Sequence, residues 1–384
     1  MLDKRTMPSN NLSDGFKVLM KLRPNEITDE KRPAFYLQRP KILTIYSCRH
    51  DSISNDVHLP YFKKPTSYPL DLNEGFDQFI FRKNKKFRLR KVEKFIIENE
   101  ENILQPDAQT PSGSGQTQNN SKRKVILCQR GVLTDIMQTP YHLNASHSNN
   151  KTFCVTKYCG VFHMQDSETR TDFTQKDTYH QKFMQLCFSD DPNREPETDK
   201  PIDDNNIIVC IIKTSVKEFD LIYSAEIAGI VSDRKIENTH NMEEINKLRF
   251  ILTKQLNTNG TMGDYLNHRK CLRWWLQAYL AKTSEVCIGL RDGNGIVRTP
   301  VQIKRAEDIV KNRKWKPHVC IRFLHSVLKL VEKTMVHVDC PYTVYEFMYD
   351  SITRCIKFKV HAGKTDLSFL SDDYIRKCKQ SASH

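Results

Sequence analysis

Residues Leu221 to Gly229 read Leu-Ile-Tyr-Ser-Ala-Glu-Ile-Ala-Gly, an almost unbroken apolar run around a single acid. A run of this kind is a strand buried in a sheet, and it carries Glu226 with it. Side chains alternate along a strand, so positions 226 and 228 point the same way. A Glu-x-Asp pair on such a strand presents two hard oxygen ligands to Mg2+ or Mn2+ from one sheet face. Position 228 here is Ala, so one ligand of such a pair is left. The vacancy argues for a binding protein built on an enzyme's frame.

The chain has 384 residues, enough for one large domain or two modest ones, and 38% hydrophobic residues support a real core beside long polar loops. Sixty Lys and Arg against 46 Asp and Glu give a net charge of +14. That excess favours nucleic acid or another polyanion as partner. The longest basic run is Phe81 to Lys94, with Arg82, Lys83, Lys85, Lys86, Arg88, Arg90 and Lys91 as its candidate patch. It suits a phosphate-tracking surface, an import signal, or the solvated face at the start of a helix. The twelve cysteines contain no Cys-x-x-Cys. Cys154 and Cys159 are close, but no second Cys or His pair completes a tetrahedral zinc site. Free thiols in a reducing compartment are the expectation. No apolar run approaches membrane-spanning length, and no signal-peptide stretch opens the chain.

Residues 1–33 are polar and read as a loose tail, and residues 362–384 as a C-terminal tail. Strands are expected at Ile42 to Tyr46, Lys124 to Cys128, Ile207 to Ile212, Phe219 to Val231 and Leu248 to Thr253. Apolar spacing predicts helices over Phe87 to Leu104, Met262 to Leu280 and Val319 to Val331. Asp292-Gly293-Asn294-Gly295 between two apolar runs signals a hairpin, and Val344 to Tyr349 with Ile352 to His361 reads as a closing one. Residues 105–122 form a Gln/Ser/Gly/Pro/Asn-rich disordered insertion, and 189–206 an acidic loop. This mixture predicts an α+β fold: one domain over residues 34–361, mixed β-sheets flanked by helices, without internal repeats.

Several ordered segments resemble one family. Arg130-Gly131-Val132-Leu133-Thr134 with Thr139-Pro140-Tyr141, Arg273-Trp274-Trp275-Leu276-Gln277, Ile288-Gly289-Leu290-Arg291-Asp292-Gly293 and Trp315-Lys316-Pro317-His318-Val319-Cys320 resemble motifs of the Rai1/Dom3Z (DXO) decapping nucleases. The resemblance implies their fold. It also implies their chemistry: hydrolysis of aberrant RNA 5′ ends, with 5′ to 3′ degradation in several members. Divalent Mg2+ or Mn2+ on clustered carboxylates does this work, beside a Lys and a Gln. Carried over by position, the acids fall on Met184, on Glu226 and Ala228, and on Ile251 of a Glu-x-Lys pair whose Lys falls on Thr253. Arg130, Glu226 and Gln277 match as an RNA-end pocket. One acid of four is too little for a metal clamp, so the resemblance implies no catalytic residues, no metal and no cofactor here.

The vacancies resemble those of a catalytically degenerate branch of that family in the germline piRNA pathway. That likeness implies a nuclear protein, in a complex with Rhino and Deadlock, shielding transcripts from termination or processing and so supporting transposon silencing. Two other readings stay open: an active RNA 5′-end hydrolase using Glu226, and a scaffold without RNA affinity. Each site residue also has two readings. Glu226 binds a cation or ribose hydroxyl, or is a buried partner of Arg130. Arg130 grips a 5′ phosphate through its fork, or is the other half of that pair. Gln277 is a pocket contact or a helix-to-backbone hydrogen bond. Trp274 and Trp275 belong to the core or stack on RNA bases.

Overall fold

A computed structural model of the chain describes residues 15–50, 52–82, 89–103, 123–142, 150–167, 174–258, 268–311 and 313–381. The α+β class is as expected, with two mixed sheets and helical layers around them. The ten-stranded sheet runs in the order Lys17–Lys21, Cys355–His361, Val344–Asp350, Lys151–Tyr158, Val161–Asp166, Lys124–Gln129, Phe219–Ile227, Ile207–Val216, Lys41–Arg49 and Ser52–Ser54. Its strands pair antiparallel except around Lys124–Gln129, which runs parallel to both neighbours. The eight-stranded sheet orders Leu70–Asp71, Ile296–Val297, Thr283–Arg291, Phe250–Asn257, Gly229–Ile230, Tyr61–Phe62 and Phe188–Ser189, with Gln302–Arg305 paired beside Thr283–Arg291.

The most continuous apolar runs take the most buried places. Ile207–Val216 and Phe219–Ile227 lie side by side in the large sheet, and Ile211, Ile212, Leu221 and Tyr223 are fully buried. Helices Arg130–Gln138, His268–Leu280 and Pro317–Thr334 share one core with both sheets, through Leu133, Leu272, Leu276 and Leu324. Trp274 and Trp275 are in that core, and Trp275 stacks on Tyr279 at 5.2 Å. The core reading of the pair holds, and base stacking by it does not. Helices Arg90–Ile103 and Asp372–Ser381 cover the opposite face of the large sheet through Val92, Ile96, Tyr374 and Ile375. Helix Gln175–Gln185 packs Tyr179 and Phe183 against Ile251 and Cys287 of the small sheet.

Four expectations are corrected. The first tail holds an edge strand, Lys17–Lys21, paired with Cys355–His361, and a helical turn at Pro24–Ile27. Its short alternation was hidden by polar flanks. The last tail is also structured, because Tyr374, Ile375 and Cys378 bury one stripe of a helix. The first long helix opens at Arg90 rather than Phe87. The 292–295 turn pairs Arg291 with Val297, but the longer partner is Gln302–Arg305. The 105–122 insertion lies outside the described residues. Among the described residues every cysteine is free, and no helix is long and apolar enough to cross a membrane.

Candidate functional site

The chain passes from one sheet to the other at Glu226. Strand Phe219–Ile227 ends, Ala228 follows, and Gly229–Ile230 opens in the second sheet. Pairing with the neighbouring parallel strand stops at Gln129 and Ser224, where helix Arg130–Gln138 begins. The ends of two sheets and one helix therefore meet around Glu226. This is where backbone groups lose their ladder partners.

Arg130 and Glu226 do come together, but not as an ion pair. Arg130 Nη1 donates to the backbone carbonyl of Glu226 at 3.0 Å. The pairing expected between the two side chains is thus corrected, because the guanidinium satisfies a carbonyl just past the end of the strand ladder. The Glu226 carboxylate goes instead to Arg82, whose Nη1 donates to Oε1 at 2.7 Å. Arg82 also donates from Nε to the Asp204 carbonyl at 2.8 Å and reaches Asp204 Oδ1 from Nη2 at 3.3 Å. Arg82 was expected in a surface patch. It is three-quarters covered and bridges two acids. Of that patch, Arg90 and Lys91 begin a helix, while Lys83, Lys85, Lys86 and Arg88 lie outside the described residues.

Glu226 keeps half of its side chain in solvent while lying within a field of cations. Burial pushes its carboxyl up, but Arg82, followed by Arg130 and Lys91, outweighs burial and holds it below the usual carboxylate range. Burial lowers the Arg130 guanidinium against the opposing pull of Glu226, and a guanidinium remains charged regardless. Lys254, on strand Phe250–Asn257, is pushed down to about 7 by burial, then by Arg130 and Arg273. His180 is pushed down to about 3 by burial, then by the charge of Lys254, so it is neutral at ordinary pH. Glu226 and Arg130 act on the same imidazole.

The strand register sorts positions 251–254 by face. Ile251 packs with Phe183 and Tyr179 in the small sheet's outer core. Thr253 is 1% exposed, and its hydroxyl has no hydrogen-bond partner. Leu252 lies in the other core, and Lys254 shares its face by alternation. Lys254, one residue after Thr253, is thus on the opposite face of the strand from Ile251 and Thr253, and neither Ile251 nor Leu252 is an acid. Met184 is half-buried and shares a helix face with His180, one turn earlier. Ala228 is buried at the sheet junction. Gln277 is half-buried, one turn from Arg273, which pairs with Asp135 at 2.7 Å. No hydrogen bond of the Gln277 side chain is present among the described residues.

A divalent cation does not fit this donor set. Glu226 is the one acid at the four positions, and Arg82 already neutralises it. Among the described residues no three His, Cys, Asp or Glu side chains converge as a metal-holding group. A hard dication needs several oxygens, and the surroundings supply Arg130 and Lys254 instead. Sequence reasoning missed Arg82, Asp204, His180 and Lys254 as cleft residues. Only His180 had a local signal, its spacing of four from Met184.

The Arg82–Glu226 bond is expected to show in a double-mutant cycle. Arg82→Met and Glu226→Gln should couple by about 1 kcal/mol in urea unfolding. Arg130→Met with Glu226→Gln should couple less, because Gln keeps the carbonyl that Arg130 uses. A larger coupling for Arg130 would contradict the assignment.

The family model described as RAI1-like PD-(D/E)XK nuclease matches residues 38–375. Decapping nuclease RAI1 of Aspergillus fumigatus is 24% identical over 326 residues, covering 78% of this chain and 83% of that protein. Protein cutoff of Drosophila melanogaster is 30% identical over 108 residues, 28% of each chain. The crystal structure of Candida albicans Rai1 in complex with pU5 and Mn2+ superposes with a TM-score of 0.73 at 15% identity, covering 94% of this chain and 99% of that one. With its fold, motifs and residues 38–375 all accounted for in this way, the chain belongs to the RAI1-like PD-(D/E)XK nuclease family.

Proposed function

We propose that this chain is a catalytically inactive member of its family that binds RNA 5′ ends and guards them. The observation that carries this reading is the cleft's charge. Its one family-position carboxylate is tied to Arg82, with Arg130 and Lys91 as the next cations acting on it. That environment repels a dication and attracts a phosphate. The Candida albicans relative crystallised with pU5 supports RNA as the ligand class. The partial likeness to Protein cutoff, together with the vacancies read in this sequence, supports a nuclear role in protecting piRNA precursors from termination or processing, in a complex with Rhino and Deadlock. Lys254 favours a second reading, an active 5′-end hydrolase, because it brings an ammonium into the electrostatic surroundings of Arg130 and His180.

Purified protein with Mg2+ or Mn2+ is expected to leave 5′-triphosphate, capped and 5′-monophosphate RNA intact while binding them. Cleavage and binding are scored separately, by denaturing gel and by fluorescence anisotropy. Turnover that disappears in Glu226→Gln would establish the hydrolase instead.

A further inference from the structure

Cys159 and Gly160 form the two-residue turn between strands Lys151–Tyr158 and Val161–Asp166, with φ of 50° and 73°. Such a turn favours Asn, Asp or Gly at its first position, and most other side chains are strained there. Cys159 takes that position, and it is exposed. Its Sγ donates to the carbonyl of Cys378 at 3.8 Å. Cys378 is buried on the last helix, Asp372–Ser381, in the same core as Tyr158, Tyr374 and Ile375. Two more contacts hold that helix to the hairpin. Tyr158 Oη donates to the Ile375 carbonyl at 3.3 Å, and Tyr374 Oη lies 3.0 Å from His163 Nε2. Both phenols respond to both sulfurs. Burial, then Cys159 and Cys378, pushes Tyr158 up to about 12. Burial, then Cys378, Glu93 and Cys159, raises Tyr374. A thiol that only caps one of the last carbonyls of a helix is the simpler reading of the 3.8 Å contact. Asn would serve as well there, however, and without strain at the turn.

We infer that Cys159 and Cys378 form a reversible disulfide that clasps the last helix to the hairpin when the protein meets a peroxide. Hydrogen peroxide oxidises the exposed Cys159 thiol to a sulfenic acid and is reduced to water. The Cys378 sulfur then attacks the sulfenic sulfur, the S–S bond forms, and the departing hydroxide takes up the Cys378 proton as water. A dithiol reductant restores both thiols and becomes a disulfide itself. The contact already brings the Cys159 sulfur to the backbone of the residue it would join. Closure then calls on side-chain rotation and on the end of a helix, where fraying is easiest. The bridge would link positions 219 apart, a long closure that restricts the unfolded chain strongly. Cys378 lies past residues 38–375, the span that the family model matches, so that match does not carry the clasp. Cys340 is the rival partner. Its N–H donates to the Lys157 carbonyl at 2.9 Å, beside the turn, and the Thr343 hydroxyl with nearby backbone N–H groups lowers its thiol.

The test treats the full chain with hydrogen peroxide or with dithiothreitol, alkylates the remaining thiols, and maps unreduced peptides by mass spectrometry beside a thermal melt. The expected result is a Cys159–Cys378 peptide pair, with a rise in Tm of about 5 °C that dithiothreitol reverses. Cys159→Asn should melt no lower than the parent under dithiothreitol, because Asn suits the turn, and should lose the rise. Cys378→Ala should lose the rise as well and leave Cys159 as a sulfenic acid that dimedone traps. Cys340→Ser should keep both the bridge and the rise. A bridge from Cys159 to Cys340 overturns the pairing. So does a Cys159 that stays a thiol while other cysteines are oxidised. A Cys159–Cys378 bridge without a rise in Tm, or a rise that survives Cys159→Asn, overturns the clasp.

Discussion

Lys254→Met is expected to make the protein more stable and poorer at holding a phosphorylated end. The folded-state ammonium is pushed down to about 7 by burial and by Arg130 and Arg273, from an ordinary value of 10.5. Between those values the unfolded chain binds a proton that the folded chain does not. Stability therefore rises with pH across this window, and the full penalty is present below it. Met fills a similar volume with no charge to desolvate. At pH 7 the variant should gain on the order of 2 kcal/mol, after allowance for solvent reaching the cleft. The gap should narrow as pH approaches 10. Urea unfolding at pH 6.5, 8 and 9.5 measures both size and slope. A variant less stable than the parent at all three would mean that Lys254 has a counter-ion.

What could be read in the chain ahead of its structure was local. The apolar run at 207–212 and the Trp274–Trp275 helix each carry their own period and have their counterparts, whereas the run at 219–231 divides between the two sheets at Ala228. What could not be read depended on distant partners. Arg82 meets Glu226 across 144 positions, and nothing in the basic run around it distinguishes that residue from Lys83. Register was the other blind spot. Phe250 to Thr253 is buried on both faces, so its pattern does not tell which of Thr253 and Lys254 shares a face with Leu252 in the larger core. The choice is made by pairing of Ile251 with Gly229 and of Lys254 with Ile288, and both partners lie on other strands. Arg130 was misread for a related reason. Its carbonyl partner exists because strand Lys124–Gln129 stops two residues short of Glu226, an end set by the start of the helix.

The junction that brings these groups together predicts the second large effect, at Gly229. A Cβ there would stand 2.4 Å from the Pro60 carbonyl oxygen and 2.6 Å from the Phe188 ring. The ring could turn, but the oxygen is fixed. It accepts the Ile230 N–H at 2.9 Å, in the stretch where Gly229–Ile230 and Tyr61–Phe62 run parallel. Real side chains do not tolerate such a contact, so Gly229→Ala must push two strands apart or bend the chain between Ala228 and Ile230. Overpacking of this kind should cost on the order of 3 kcal/mol. Over a chain of 384 residues that is a fall of about 4 °C in Tm. The displacement also acts where Glu226 is aimed. The Arg82–Glu226 bond should loosen, and the preference for phosphorylated RNA ends should weaken along with stability. Gly75→Ala is the control, since its Cβ would meet nothing within 4 Å and only its backbone angle would be strained. Gly75→Ala should cost about 1 kcal/mol and leave end preference intact. If Gly229→Ala melts with the parent, the two sheets do not approach at this point as tightly as the geometry requires, and Ala228 then has room for the larger side chain that its strand lacks.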